Sequence, residues 1–149
     1  MDLEVVLSHL GHLLVAFVLA LPLGWDRESR SRSAGLRTFP LVALGSCAYM
    51  LTGVDVLGST DGNSRVMYGI LTGIGFIGGG AILKDRGTVA GTATAASIWN
   101  TGAIGVAVAW GRYEIAIALS LLNFLTLRFM PKLKPKVQRR IENADPDES

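Results

Sequence analysis

Residues 73–80 read GIGFIGGG and carry the spacing G-x-G-x-x-G at Gly73, Gly75 and Gly78. In a dinucleotide-binding unit that spacing follows a strand, opens a long helix and is answered about 20 residues later by an acid that holds the ribose. Here the apolar run closes at Leu83, gives way to KDRGT (84–88), and is followed by ATAASIWN (93–100) without an acid. The next acid after Asp85 is Glu114. The cofactor reading fails on both counts, no cofactor is expected, and the glycines need another reason.

A membrane helix supplies one. Small residues let helix backbones approach closely in lipid, where packing rather than exclusion of water drives association. Gly69 and Gly73 form one G-x-x-x-G pair, Gly75 and Gly79 another. At about 100° per residue, Gly69, Gly73 and Gly80 share a face with Phe76, whereas Gly75, Gly78 and Gly79 lie on the other side. The pattern predicts a helix that touches neighbours on two sides and sits at the centre of a bundle or between copies. Each glycine weakens a helix by roughly 1 kcal/mol relative to Ala, which packing must offset. The alternative is a helix broken at 78–80, with freed carbonyls at an ion site.

The rest of the chain fits a membrane setting. A content of 17% charged residues in 149 and a mean hydropathy of +0.41 are unusual for a water-soluble domain. A bilayer core about 30 Å thick needs roughly 20 residues of helix. Charge-free runs cover 5–24, 39–54, 66–83, 88–110 and 115–127. We therefore expect an all-α, polytopic bundle of five transmembrane helices, at about 5–24, 39–57, 66–83, 88–110 and 113–130. Residues 131–149, basic and then acidic, are expected to form a disordered cytoplasmic tail. The first run carries Asp2 and Glu4 ahead of it and no A-x-A site after it, so it reads as an uncleaved helix and not a signal peptide.

With five spans, twelve of the fourteen Lys and Arg residues fall on one side: Arg27, Arg30, Arg32, Arg37, Lys84, Arg86, Arg128 and the five basic residues of PKLKPKVQRR (131–140). Only Arg65 and Arg112 fall on the other. Positive flanks resist translocation, which places the N-terminus outside and the C-terminus in the cytoplasm. The net charge of +2 therefore tracks topology and the lipid headgroups, and no nucleic-acid partner is expected. The single Cys47 lies inside a span and says nothing of redox compartment.

Polar residues inside the spans are the candidates for function. Thr94, Ser97 and Thr101 fall within about 60° on the fourth helix, and Asn100 widens that stripe. Two readings stay open: hydrogen bonding between helices, or the lining of a partner groove or narrow polar path. In the first cytoplasmic loop, GWDRESRSRSAGLRTFP (24–40), Asp26 with Arg30 and Glu28 with Arg32 stand at i,i+4, so the first helix is expected to continue for two further turns. Thr38 is placed to cap the second helix ahead of Pro40. Asp26 and Glu28 are weak candidate ligands for a hard cation such as Mg2+. His9 and His12 read as hydrogen-bonding partners between helices and not as a metal pair. No catalytic constellation is visible, and no enzyme activity is expected.

Four pieces taken in order resemble the MgtC/SapB family of bacterial inner-membrane proteins, over about residues 10–127. They are GWDRESRSRSAGLRT (24–38), Arg65, GIGFIGGGAIL (73–83) and GTATAASIW (91–99). The family pattern falls on Asp26, Arg27, Glu28, Gly35, Arg37 and Thr38, on Gly73, Gly75, Phe76, Gly78 and Gly80, and on Thr94, Ala95, Ala96 and Trp99. The resemblance implies a plasma-membrane protein linked to growth at low Mg2+, and in some members to intracellular virulence, that regulates other membrane proteins in preference to carrying Mg2+. Better-studied members add a soluble C-terminal domain not found here, whose roles do not transfer. His9, His12 and the basic tail match no family motif. Besides the bilayer, the expected partner is a membrane protein, or a second copy of the chain, with Gly79, Ser97 and Asn100 added to the interaction candidates.

Overall fold

A computed structural model describes residues 2–30, 34–85 and 88–144. Five helices form an all-α bundle: α1 (Leu3–Glu28), α2 (Thr38–Thr52), α3 (Thr60–Gly80), α4 (Thr92–Ala109) and α5 (Tyr113–Ala144). A π-helical turn, Gly53–Leu57, extends α2. A two-stranded antiparallel hairpin, β1 (Leu83–Asp85) with β2 (Thr88–Ala90), joins α3 to α4, pairing Lys84 with Val89.

Local chemistry explains the boundaries. Asp2 caps α1 by accepting from the Glu4 N–H at 3.3 Å, and Ser59 caps α3 by accepting from the Gly62 N–H at 3.1 Å. Gly91 precedes α4 at φ +87°, a left-handed conformation open to glycine, and a Cβ there would run into the Ala81 carbonyl. The first helix ends at Glu28 and does not gain the two further turns expected of it; Ser29 closes it by donating to the Asp26 carbonyl at 3.0 Å. Arg32, the expected partner of Glu28, lies outside the described residues. Thr38 is the first residue of α2 and not its cap, a position held by Arg37 with no side-chain hydrogen bond. At the other end of the chain, α5 runs past Met130 to Ala144, through residues expected to form a disordered tail. Residues 145–149 lie outside the description.

The centre of the bundle is α4. It packs on α1, α2, α3 and α5 and buries Ile98, Thr101, Ile104 and Val108 completely. Gly102 and Gly105 make this possible: a Cβ on Gly105 would lie 2.9 Å from Ser46 Cβ and 3.0 Å from the Cys47 backbone nitrogen. The expectation that α3 shares the centre is corrected within the chain. Only Ile70, Ile74 and Gly78 of α3 are buried, and Gly78 alone of its six glycines in 69–80 closes on a neighbour, the Ala95 carbonyl of α4. Nor is α3 broken at 78–80, since it continues to Gly80.

Three helical stretches are long and apolar enough to cross a membrane: Leu3–Glu28, Thr38–Leu57 and Tyr113–Pro131. α4, about 27 Å long for its 18 residues, carries Thr, Ser, Asn and Gly in place of the bulk that lipid would favour. Enclosed on four sides by protein, it does not need a lipid-facing surface.

A candidate site at two levels of the bundle

At the C-terminal end of α1, Asp26 is 2% exposed and Arg27 8%. Burial of a carboxylate is costly without partners, and the sequence supplies them from two helices. Arg27 Nη2 donates to Asp26 Oδ2 at 3.1 Å, and Arg30 Nε donates to Asp26 Oδ1 at 3.0 Å. Arg128 of α5 brings its Nη1 to 3.9 Å from the same Oδ1. The i,i+4 pair expected from sequence is therefore present, inside a larger cluster that spacing along one helix does not reveal.

Glu28 turns elsewhere. Its Oε2 accepts from the Leu36 N–H at 3.1 Å, and a Cβ on Gly35 would collide with that same oxygen. Gly24 makes a matching close approach, its hypothetical Cβ lying 3.0 Å from Leu36 Cα. The segment Gly35–Leu36 is thus folded back on the end of α1. Both oxygens of Asp26 face guanidinium groups and Glu28 serves a backbone donor, so a cation would have to displace arginine to reach Asp26. No group of three or more His, Cys, Asp or Glu converges among the described residues.

In the middle of the bundle, Thr94, Ser97 and Thr101 are all buried. Ser97 Oγ donates to Asn123 Oδ1 on α5 at 2.9 Å, and Asn123 Nδ2 lies 3.5 Å from the Ser97 carbonyl. Thr101 bonds back to the Ser97 carbonyl at 2.8 Å. Ser120, one turn before Asn123, donates to the Leu19 carbonyl of α1 at 2.7 Å. Asn100 is half-buried, and no side-chain hydrogen bond involves it among the described residues. Asn123 and Ser120 were missed in the sequence, although an Asn within an apolar run was the signal that picked out Asn100.

The remaining candidates do not converge on one point. Arg37 is exposed at the start of α2, Arg65 pairs with Asp61 at 3.2 Å on an exposed face, and Phe76 and Trp99 are 86% and 48% exposed. Gly69, Gly73, Gly75, Gly79 and Gly80 face open space. Gly69 and Gly73, with Thr38, Gly45, Tyr49 and Ile77, help to line a groove of about 760 Å3 between α2 and α3. At the end opposite Asp26, His9 Nε2 lies 2.9 Å from Asp55 Oδ2 in the π-helical turn, which fits the expected bond between helices. His12 differs from that expectation, since its Nδ1 hydrogen-bonds within α1 to the Ser8 carbonyl at 2.8 Å, and its ring stacks obliquely on Tyr113 with centroids 5.9 Å apart.

An all-α bundle with lipid-compatible helices, a buried ion cluster at one end and an open glycine face defines a class of small membrane protein. The chain belongs to the MgtC family, whose profile matches residues 13–136. It is 37% identical over 129 residues to YhiD of Escherichia coli K12, which carries a provisional magnesium-transporter name, covering 81% of this chain and 60% of YhiD. It is 37% identical to MgtC of Salmonella typhimurium LT2, covering 74% of this chain and 47% of that protein. SrpB of Synechococcus elongatus is 32% identical, covering 82% and 74%. The chain thus spans about half to three fifths of the length of YhiD and MgtC. No solved structure matches.

Proposed function

We propose that the chain is a non-enzymatic, five-span protein of the bacterial inner membrane, with its N-terminus outside, that supports Mg2+ homeostasis or adaptation to low Mg2+ by contact with a helix of a membrane partner. The observation that carries this reading is the open face of α3. Five of its glycines have nothing within 4 Å of where a Cβ would stand, and two of them line the groove against α2. Glycines weaken a helix and repay that cost in lipid when another backbone approaches. Of the six α3 glycines in 69–80, Gly78 alone is so used among the described residues.

The test is co-purification with native membrane partners from cells expressing Gly73→Leu or Gly79→Leu. A specific partner lost from both variants, while their unfolding transitions match the parent, supports the reading. Retention of every partner removes the glycine face from function.

The second reading is transport of Mg2+ or another cation, favoured by the name of YhiD. It is tested by Mg2+ flux into liposomes holding the purified chain, beside empty liposomes and an Asp26→Asn, Glu28→Gln variant. Saturable uptake that disappears in the variant would overturn the partner reading and make the loop part of an ion path. Absence of flux from inserted, folded protein leaves partner contact in place.

A further inference from the structure

The charge around Asp26 does not balance. Among the described residues one buried carboxylate faces three guanidinium groups, from Arg27, Arg30 and Arg128, which leaves two positive charges in excess within that set. Asp26 is already shared among them. Arg27 Nε is buried and has no acceptor, Arg30 reaches Asp26 through Nε alone, and Arg128 at 3.9 Å is beyond hydrogen-bond range. A guanidinium carries five N–H donors in a planar fork, so most of the donor capacity of the cluster meets no acceptor among the described residues. Side-chain exposures of 29% for Arg30 and 50% for Arg128 leave those two forks accessible from outside.

We propose that Arg27, Arg30 and Arg128 form a binding site for a phosphate oxyanion, with Asp26 holding the three guanidinium groups in place beneath it. Arginine is the side chain whose fork matches phosphate oxygens two at a time, and an added anion balances charges that would otherwise repel one another. The surroundings point to a phospholipid headgroup as the source. Trp25, next to Asp26, is 68% exposed, as an aromatic anchor at the headgroup level is. Phe129 and Met130, next to Arg128, are 49% and 57% exposed and offer acyl chains an apolar surface beside the charge. The site joins α1 to α5, so an occupying phosphate would tie the two ends together.

The experiment uses the full chain purified in detergent and follows its thermal unfolding midpoint as lipid is added to the micelles at constant ionic strength. Phosphatidylglycerol and phosphatidylcholine are compared, with inorganic phosphate as a lipid-free probe. Arg30→Gln and Arg128→Gln leave Asp26 paired with Arg27, and their midpoints without ligand report whether they fold. Lys84→Gln, an exposed charge outside the cluster, controls for diffuse attraction. Phosphatidylglycerol is expected to raise the midpoint saturably, with apparent affinity reduced about fivefold in each arginine variant and unchanged in the lysine variant. An equal gain from inorganic phosphate, lost in the same two variants, upholds the oxyanion site and assigns it to a soluble ligand. Gains kept in both arginine variants, reduced as much in Lys84→Gln, or absent with phosphatidylglycerol and inorganic phosphate alike overturn the proposal.

Discussion

Ser97 on α4 and Asn123 on α5 bond across the bundle interior, hydroxyl to amide oxygen at 2.9 Å, with both residues buried. Neither side chain has water to fall back on, so removal of one strands the other. Ser97→Ala and Asn123→Ala are each expected to destabilise by about 0.6 kcal/mol, the average for polar contacts between membrane helices, and by no more than about 2 kcal/mol. A double-mutant cycle on equilibrium unfolding checks this. Additive losses would mean that the two groups do not interact.

Asp26 holds three arginines and is almost wholly buried. Asp26→Asn keeps its shape and removes the charge, leaving Arg27 buried without a counterion. Breaking a buried pair from one side costs about 3–5 kcal/mol, and because Arg30 and Arg128 retain some access to solvent the loss here is expected near the lower figure, about 3 kcal/mol. Denaturant unfolding in detergent reads this directly. A variant as stable as the parent would show that the cluster does not hold α1 against α5.

How far these features were legible in the sequence depends on whether they are local. Charge-free runs marked all five helices, i,i+4 spacing marked Asp26 with Arg30, and helical periodicity put Thr94, Ser97 and Thr101 on one face, which is buried. Arg128 and Asn123 escaped because their partners lie more than 20 residues away, and spacing along one helix says nothing of which helix comes next to it. The glycine count misplaced the centre for a related reason: it shows which backbone can be approached, not which one is. Gly102 and Gly105 of α4 are the pair that is approached, and most of the richer set on α3 is left open. The strands at Leu83–Asp85 and Thr88–Ala90 fall on the ends of the expected spans 66–83 and 88–110 and the connection between them, although Arg86-Gly87 followed by Thr88-Val89 carries a turn and strand signal.

Asn100 is half-buried and makes no side-chain hydrogen bond among the described residues, unlike the neighbouring Ser97 and Thr101. A polar amide kept on a central, largely buried helix without a partner among the described residues is better explained by what it does than by what it stabilises. Asn100→Leu is therefore expected to leave the unfolding midpoint unchanged or slightly raised and to impair growth at low Mg2+ in a strain that depends on the chain. Growth at the parental level would remove Asn100 from any site.

The two sets of glycines make opposite predictions, and together they test which faces are closed. Gly105 has Ala43, Ser46 and Cys47 of α2 against it, so a side chain there must push apart the most extensive helix pair in the bundle. Gly105→Leu is expected to abolish folding, and even Gly105→Ala to cost about 1–3 kcal/mol through overpacking. Gly79 faces open space, so Gly79→Ala meets no neighbour and gains helix propensity, with a stabilisation of about 0.5–1 kcal/mol expected in the isolated chain. Unfolding of the purified chain over a range of protein concentrations measures both. If Gly79→Ala instead destabilises in proportion to protein concentration, a second copy covers that face, and the helix that α3 awaits is its own twin.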